Sequence, residues 1–203
     1  MFLKVAVKSL LSRKGSAVMT LMAISVAIFV LRGIEQIRQQ ARDSFASTVS
    51  GVDLIVGAKT GSLNLLLYSV FRIGSPTDDI SWQAYREIAD SDDVAWAIPI
   101  SLGDSHEGYR VVGTTQAFFE HFSFGKKRRL TFSEGEAFEG TFDAVLGSEV
   151  ALALSYSVGT EIILAHGLAS TSFTKHDNQP FFVVGVWAPT GTPVDQTIHV
   201  RLE

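Results

Sequence analysis

GSAVMTLMAISVAIFVL, residues 15–31, runs for seventeen positions without a charge. As a helix this stretch extends roughly 25 Å, slightly short of a hydrocarbon core of about 30 Å. Arg13 and Lys14 before it and Arg32 after it can snorkel and make up the difference. A charge at the centre of such a span costs about 3 kcal/mol, so an uncharged run of this length reads as a membrane anchor. Lys4, Lys8, Arg13 and Lys14 precede the span with no acid among them, while Glu35 and an acidic remainder follow it. The positive-inside rule therefore puts residue 1 in the cytoplasm and the chain after about residue 32 outside. A cleaved secretory signal would show a small-x-small site after the apolar run. Here the run continues into LRGIEQIRQQARDSF (31–45) without one.

Working outward, the helical pattern outlasts the membrane. Ile34, Ile37, Ala41 and Phe45 recur at three- and four-residue steps, with Gln36, Arg38, Gln39 and Arg42 on the other face. Glu35 can pair with Arg38 or Gln39 one turn on. The spacing predicts a rod from about residue 15 to 49, on the order of 50 Å long, whose outer part is an amphipathic stalk. Upstream, FLKVAVKSLL (2–11) sets Lys4 and Lys8 one turn apart among apolar residues, which suits a helix lying in the cytoplasmic interface. The chain thus divides into a basic amphipathic segment (1–14), a transmembrane helix and stalk (15–49) and an external body (50–203).

That body is globular in composition. The 203 residues are 46% apolar and 19% charged, and the absence of cysteine excludes a disulfide scaffold, a Cys-type zinc site and a thiol nucleophile. The net charge is −4, and the first fourteen residues carry +4, which leaves −8 on the rest. An acidic body is a poor nucleic-acid binder. Strand candidates are VDLIV (52–56), VAWAIPI (94–100), YRVVGTT (109–115), DAVLG (143–147), TEIILA (160–165), FFVVGVW (181–187) and TIHVRL (197–202). Helix candidates are 81–90, capped by Ser81, 116–122, and 148–156, capped by Ser148. The first pair of strands with the helix between them gives strand–helix–strand over 52–100. The alternation favours an α+β body.

No catalytic constellation emerges. VGAKTGS (56–62) lacks the glycine immediately before Lys59 that a phosphate loop requires, and no GxSxG or HExxH pattern occurs. The histidines are His106, His121, His166, His176 and His199; of these His166 and His176, with Asp177, bracket a polar loop but match no recurring metal-ligand spacing. KKRR (126–129), with Glu134, Glu136, Glu139 and Asp143 nearby, fits a solvated hairpin tip better than a phosphate patch. The expectation is no catalytic, cofactor-binding or metal residue, hence no enzyme. GSLNLLLYSVFRIG (61–74) is the odd segment, with eight large apolar residues between Leu63 and Ile73 and one charge, Arg72. It is either core or an exposed apolar surface for a lipid or hydrophobic cargo.

Taken in order, DLIVGAK (53–59), GSEVA (147–151) followed by VGTEI (158–162), and VVGVWAPTGTPVD (183–195) resemble MacB-like ABC transporter permeases, the group that includes FtsX and the lipoprotein-release permeases. The resemblance implies one transmembrane helix leading into a periplasmic core domain, with a proximal part at about 50–114 and an inserted part at about 115–195. It implies three further spans beyond Glu203, so a truncated chain is expected. It also implies a bacterial inner-membrane location and a dimer of permease copies. Each copy would be driven by a separate cytoplasmic ABC ATPase. The further partner would be a lipid, a lipoprotein or a periplasmic protein. Trp187 and the Thr190–Asp195 turn fit a rigid loop with no ligand assigned. The alternative is a single-pass anchored periplasmic binding module that is not coupled to ATP.

Overall fold

Helix α1, Lys14–Thr48, is 35 residues long and continuous through both the apolar run and its polar extension. The structure is a computed structural model that describes residues 12–48, 50–74, 78–166 and 180–202. The basic segment FLKVAVKSLL lies outside the described residues, as do the side chains of Ala41 and Phe45 in the predicted stripe. The expected Glu35–Arg38 pair forms at 3.8 Å. By internal contacts the chain separates into residues 1–45 and residues 46–203.

The second unit holds an eight-stranded mixed sheet. Its strands are β1 (Ser101–His106), β2 (Tyr109–Thr114), β5 (Phe132–Gly135), β6 (Asp143–Leu146), β7 (Glu161–Ile162), β8 (Ala165–His166), β9 (Phe181–Trp187) and β10 (Thr197–Arg201). The order is β5-β9-β6-β10-β2-β1-β8, with β7 also on β9. β10 runs parallel to β2 and antiparallel to β6, and β6 runs parallel to β9. A separate hairpin joins β3 (Ser123–Phe124) to β4 (Arg128–Arg129). Ser50 closes onto that hairpin, its N–H donating to the Ser123 carbonyl at 3.0 Å while Ser123 Oγ donates back to the Ser50 carbonyl. The helices are α2 (Ser62–Ser69), α3 (Trp82–Ala89), α4 (Ala117–His121) and α5 (Ser148–Leu154).

Period-two alternation divides the strand residues between two buried faces. Val111, Ala144, Leu146, Val183, Ile198 and Val200 meet Val150 of α5 on one face. Val145 and Trp187 meet Phe118, Phe122, Phe138 and Val194 on the other, which is dominated by aromatic rings. Simple alternation would put Trp187 on the same face as Val183. β9 avoids this with an extra residue: Ala144 faces Val183 but Val145 faces Gly185. The bulge reverses the parity, so Trp187 stacks on Phe132 in the aromatic layer. Gly185 permits it, because a Cβ there would lie 2.3 Å from the Glu136 carbonyl oxygen.

The α+β class is as expected, and strands β2, β6, β9 and β10 and helix α4 fall where the alternation puts them. Ser81 caps α3 as expected, accepting from the Ala84 N–H at 3.2 Å. Other assignments differ. Residues 52–56 and 94–100 belong to no strand, so the expected strand–helix–strand reduces to its helix. For 94–100, Pro99 has no N–H to donate, and β1, which follows directly, is paired by β2 on one side and β8 on the other. The run TEIILA is divided between β7 on β9 and β8 on β1, so residues 163–164 cross the sheet and bury Leu164. Polar β1, SLGDSH, is an addition that its pairing with β2 explains better than its own composition. Finally, Gly147 rather than Ser148 is the N-cap of α5.

That last exchange is steric. A Cβ at Gly147 would stand 2.2 Å from the Asp195 carbonyl oxygen, so no serine fits the cap position. Ser148 enters the first turn instead, where its Oγ is buried without a partner. Gly147→Ala is expected to destabilise the protein by about 3 kcal/mol, because backbone rather than a pliable side chain blocks the methyl group. Gly103→Ala, which meets open space, serves as the control and is expected to be neutral. Chemical denaturation of the two variants in a neutral detergent measures the difference.

Candidate functional site

The apolar part of α1 is exposed all round. Met19, Leu21, Ile24, Phe29 and Leu31 are each more than half exposed, although they point in different directions around the helix. A helix apolar on every side needs an apolar solvent rather than one packing face. Within α1 the segment Lys14–Gln39 is long and apolar enough to cross a membrane.

Among the described residues the histidines do not converge on a site. His106 Nδ1 lies 2.7 Å from the Ile163 carbonyl and its Nε2 3.1 Å from Tyr156 Oη, so both ring nitrogens are used. His121 stacks on Trp96 with ring centroids 5.1 Å apart. His166 sits in β8, while His176 and Asp177 lie outside the described residues. Among the described residues no three His, Asp or Glu groups come together as metal ligands would. The KKRR run forms the turn and second strand of the β3–β4 hairpin, where the Arg128 guanidinium covers the Phe124 ring at 4.6 Å and Arg129 donates to the Glu120 carbonyl. The Thr190–Asp195 loop is tied to one carboxylate. Asp195, 3% exposed, accepts from the Thr190 and Gly191 N–H groups and from Thr190 Oγ1 at 2.7–3.0 Å.

His199 is a core residue of the central strand. Trp187 Nε1–H donates to its Nδ1 at 3.4 Å, and Phe118 packs 4.8 Å away, centroid to centroid. Burial pushes its pKa down to about 3, and the nearby Arg72 charge adds to the effect. A doubly protonated ring would also lose its acceptor nitrogen.

Segment 61–74 divides between the two readings that its sequence left open. Helix α2 has no fully buried residue, and Leu63 is 66% exposed, yet Val70 just beyond it is buried. The stretch before α2 shares the exposure: Leu54 is 75% exposed and Val56 about half, while Gly57 lies directly against Leu65. Arg72 is the feature that sequence reasoning passed over. It is only 9% exposed, has a left-handed backbone (φ 59°), and donates from Nη1 to the Ser69 carbonyl. Burial, with Arg110 close by, lowers its pKa to about 10. Tyr68 Oη donates to the Leu102 carbonyl at 2.6 Å, and burial with the charge of Asp79 raises its pKa to about 12. The signal in the sequence was a single charge inside an apolar run.

An apolar helix long enough to cross a membrane thus precedes a mixed sheet buried on both faces. The chain belongs to the MacB-like periplasmic core domain family, whose model it matches over residues 17–201. Membership places it in the MacB/FtsX group of ABC permeases, which in general work as dimers with a cytoplasmic ABC ATPase. With the apolar helix, it marks an inner-membrane protein that has a periplasmic domain. No curated protein matches the sequence significantly.

The buried imidazole makes stability depend on pH. The folded pKa of His199, about 3, lies below the ordinary histidine value of 6.5, so the unfolded chain binds its proton first as pH falls. The contribution is complete above about pH 6.5 and is lost progressively toward pH 3, at about 1.4 kcal/mol per pH unit. Thermal unfolding at pH 7 and pH 5, followed by tryptophan fluorescence, is expected to show a steeper acid loss in the wild type than in His199→Gln. The difference is about 2 kcal/mol over that range.

Proposed function

We propose that this chain is a permease subunit that passes ATP-driven motion from a cytoplasmic ATPase to its periplasmic domain. That domain then acts on a lipid, a lipoprotein or a periplasmic partner. The observation that carries the reading is the continuity of α1. One helix holds the span and the polar extension, and residues 14–48 contain no proline to bend it. An unbroken backbone ladder transmits a push or a twist along its axis better than a loop would. The basic residues before the span support a cytoplasmic residue 1, with the chain after about residue 32 in the periplasm. In this account the chain has no catalytic step of its own, and hydrolysis of ATP belongs to the ATPase.

Two measurements test this. A pull-down from native membranes through a tag at residue 1, with non-hydrolysable ATP and mild detergent, is expected to recover an ABC ATPase in near-equal amount. Recovery of none would favour a single-pass anchored binding module without ATP coupling. Because the protein has no cysteine, single-cysteine variants report orientation directly. Asp53→Cys is expected to react with an impermeant maleimide in spheroplasts, and Ser12→Cys only after lysis. The reverse pattern would overturn the topology.

A further inference from the structure

Residues 52–56, VDLIV, have the composition of a strand and the pairing of none. Four of the five are apolar, three of these are β-branched, and neither glycine nor proline interrupts them. From 52 to 57 the chain has no helix, turn or bend, so it runs on without reversing. Its two ends are fixed. Ser50 is hydrogen-bonded to Ser123 before the segment, and Gly57 lies against the Leu65 side chain of α2 after it. Between those points residues 52–56 make no backbone hydrogen bond among the described residues. Their side chains are largely uncovered as well: Leu54 is 75% exposed, Val56 about half, and Asp53 is exposed. An unpaired apolar edge is a template for pairing with another chain, and proteins commonly blunt such edges with lysine or proline, which VDLIV lacks.

The family and the position of one charge narrow the occupant. Permeases of this group in general work as dimers, so a second VDLIV is tethered to the same membrane through an identical helix. Paired parallel and in register, two copies would set Asp53 opposite Asp53, and like charges directly opposite destabilise a sheet. Antiparallel pairing centred on Leu54 sets Val52 opposite Val56 and Asp53 opposite Ile55. One face of that pair carries only Val52, Leu54 and Val56 from both copies. A centre at residue 53 would restore the clash of acids, and one at residue 55 would draw in Gly57, which α2 already packs against. Self-pairing about one residue is also what a twofold interface requires, since both copies offer the same surface.

We propose that residues 52–56 of two copies pair antiparallel about Leu54 and form a two-stranded ribbon across the dimer axis. Two short strands pair weakly in water, but copies held in one membrane meet at a high effective concentration. The ribbon needs the dimer and not the ATPase, so its failure is distinguishable from failure of the ATP-coupled reading.

Because the chain has no cysteine, disulfide trapping of the full chain in native membranes tests the register directly. Opposed residues of an antiparallel pair have Cα atoms about 4.5–5.5 Å apart, which a disulfide spans. The two Asp53 residues would stand about 8 Å apart, which it does not. Under mild copper-phenanthroline oxidation Leu54→Cys is expected to give a covalent dimer, at least about tenfold more than Asp53→Cys or Ile55→Cys alone. Copies carrying Asp53→Cys and Ile55→Cys, co-expressed with different tags, are expected to link to each other as well as Leu54→Cys links to itself. Val52→Cys with Val56→Cys supplies a second mixed pair if Ile55→Cys fails to fold. Ile37→Cys, exposed on α1, reports separately whether the copies meet. The proposal is overturned if Leu54→Cys stays monomeric, whether or not Ile37→Cys links. It is equally overturned if Asp53→Cys or Ile55→Cys alone links as well as Leu54→Cys, or if the mixed pairs do not link. A trapped product other than the dimer would assign the edge to a different polypeptide and overturn it too.

Discussion

Among the described strands, β10 joins two groups that are not otherwise hydrogen-bonded to each other. On one side of it lie β6, β9, β5 and β7, and on the other β2, β1 and β8. Without Thr197–Arg201 the sheet would fall into two parts, each with an open edge. The price of that central position is burial on both faces: Ile198 and Val200 enter the aliphatic layer, while Thr197 and His199 are fully enclosed. Much else follows from this. His199 must stay uncharged among aromatic rings, the 3₁₀ turn Pro193–Gln196 must deliver β10 at the right height, and the Asp195 carboxylate holds the loop that precedes it. The Gly147 contact with the Asp195 carbonyl sets how closely α5 approaches that turn.

Elements whose apolar pattern reflects their own burial were legible in the sequence. FFVVGVW and TIHVRL became strands because their side chains fill two faces, and DAVLG did so for the same reason. Runs whose fate depends on a neighbour were not legible. VAWAIPI has the composition of a strand and pairs with none, whereas SLGDSH has little of it and pairs on both sides. Ser148 has the chemistry of a cap, but the space at that position admits only glycine. The bulge at Gly185 depends on the Glu136 backbone and leaves no mark in the local pattern. The transmembrane helix was the most legible of all, since lipid makes the same demand at every position along it.

Arg72 shows the same limit. It was visible as one charge in an apolar run, but its burial and its proximity to Arg110 arise from the way the end of α2 lies over β1 and β2.

The contact between Ser50 and Ser123 has a mechanical consequence. Those two hydrogen bonds attach the chain to a hairpin with two residues per strand, which packs on the eight-stranded sheet through Phe124 but is not hydrogen-bonded into it. Tension arriving along the chain at residue 50 therefore meets a ladder with few rungs. Such a clasp opens under a smaller load than the long pairings β1–β2 and β2–β10. Once it opens, residues 51–57 are drawn straight before α2 bears any strain. In the proposed coupling, the hairpin would act as a fuse that limits the force reaching the sheet through residue 50.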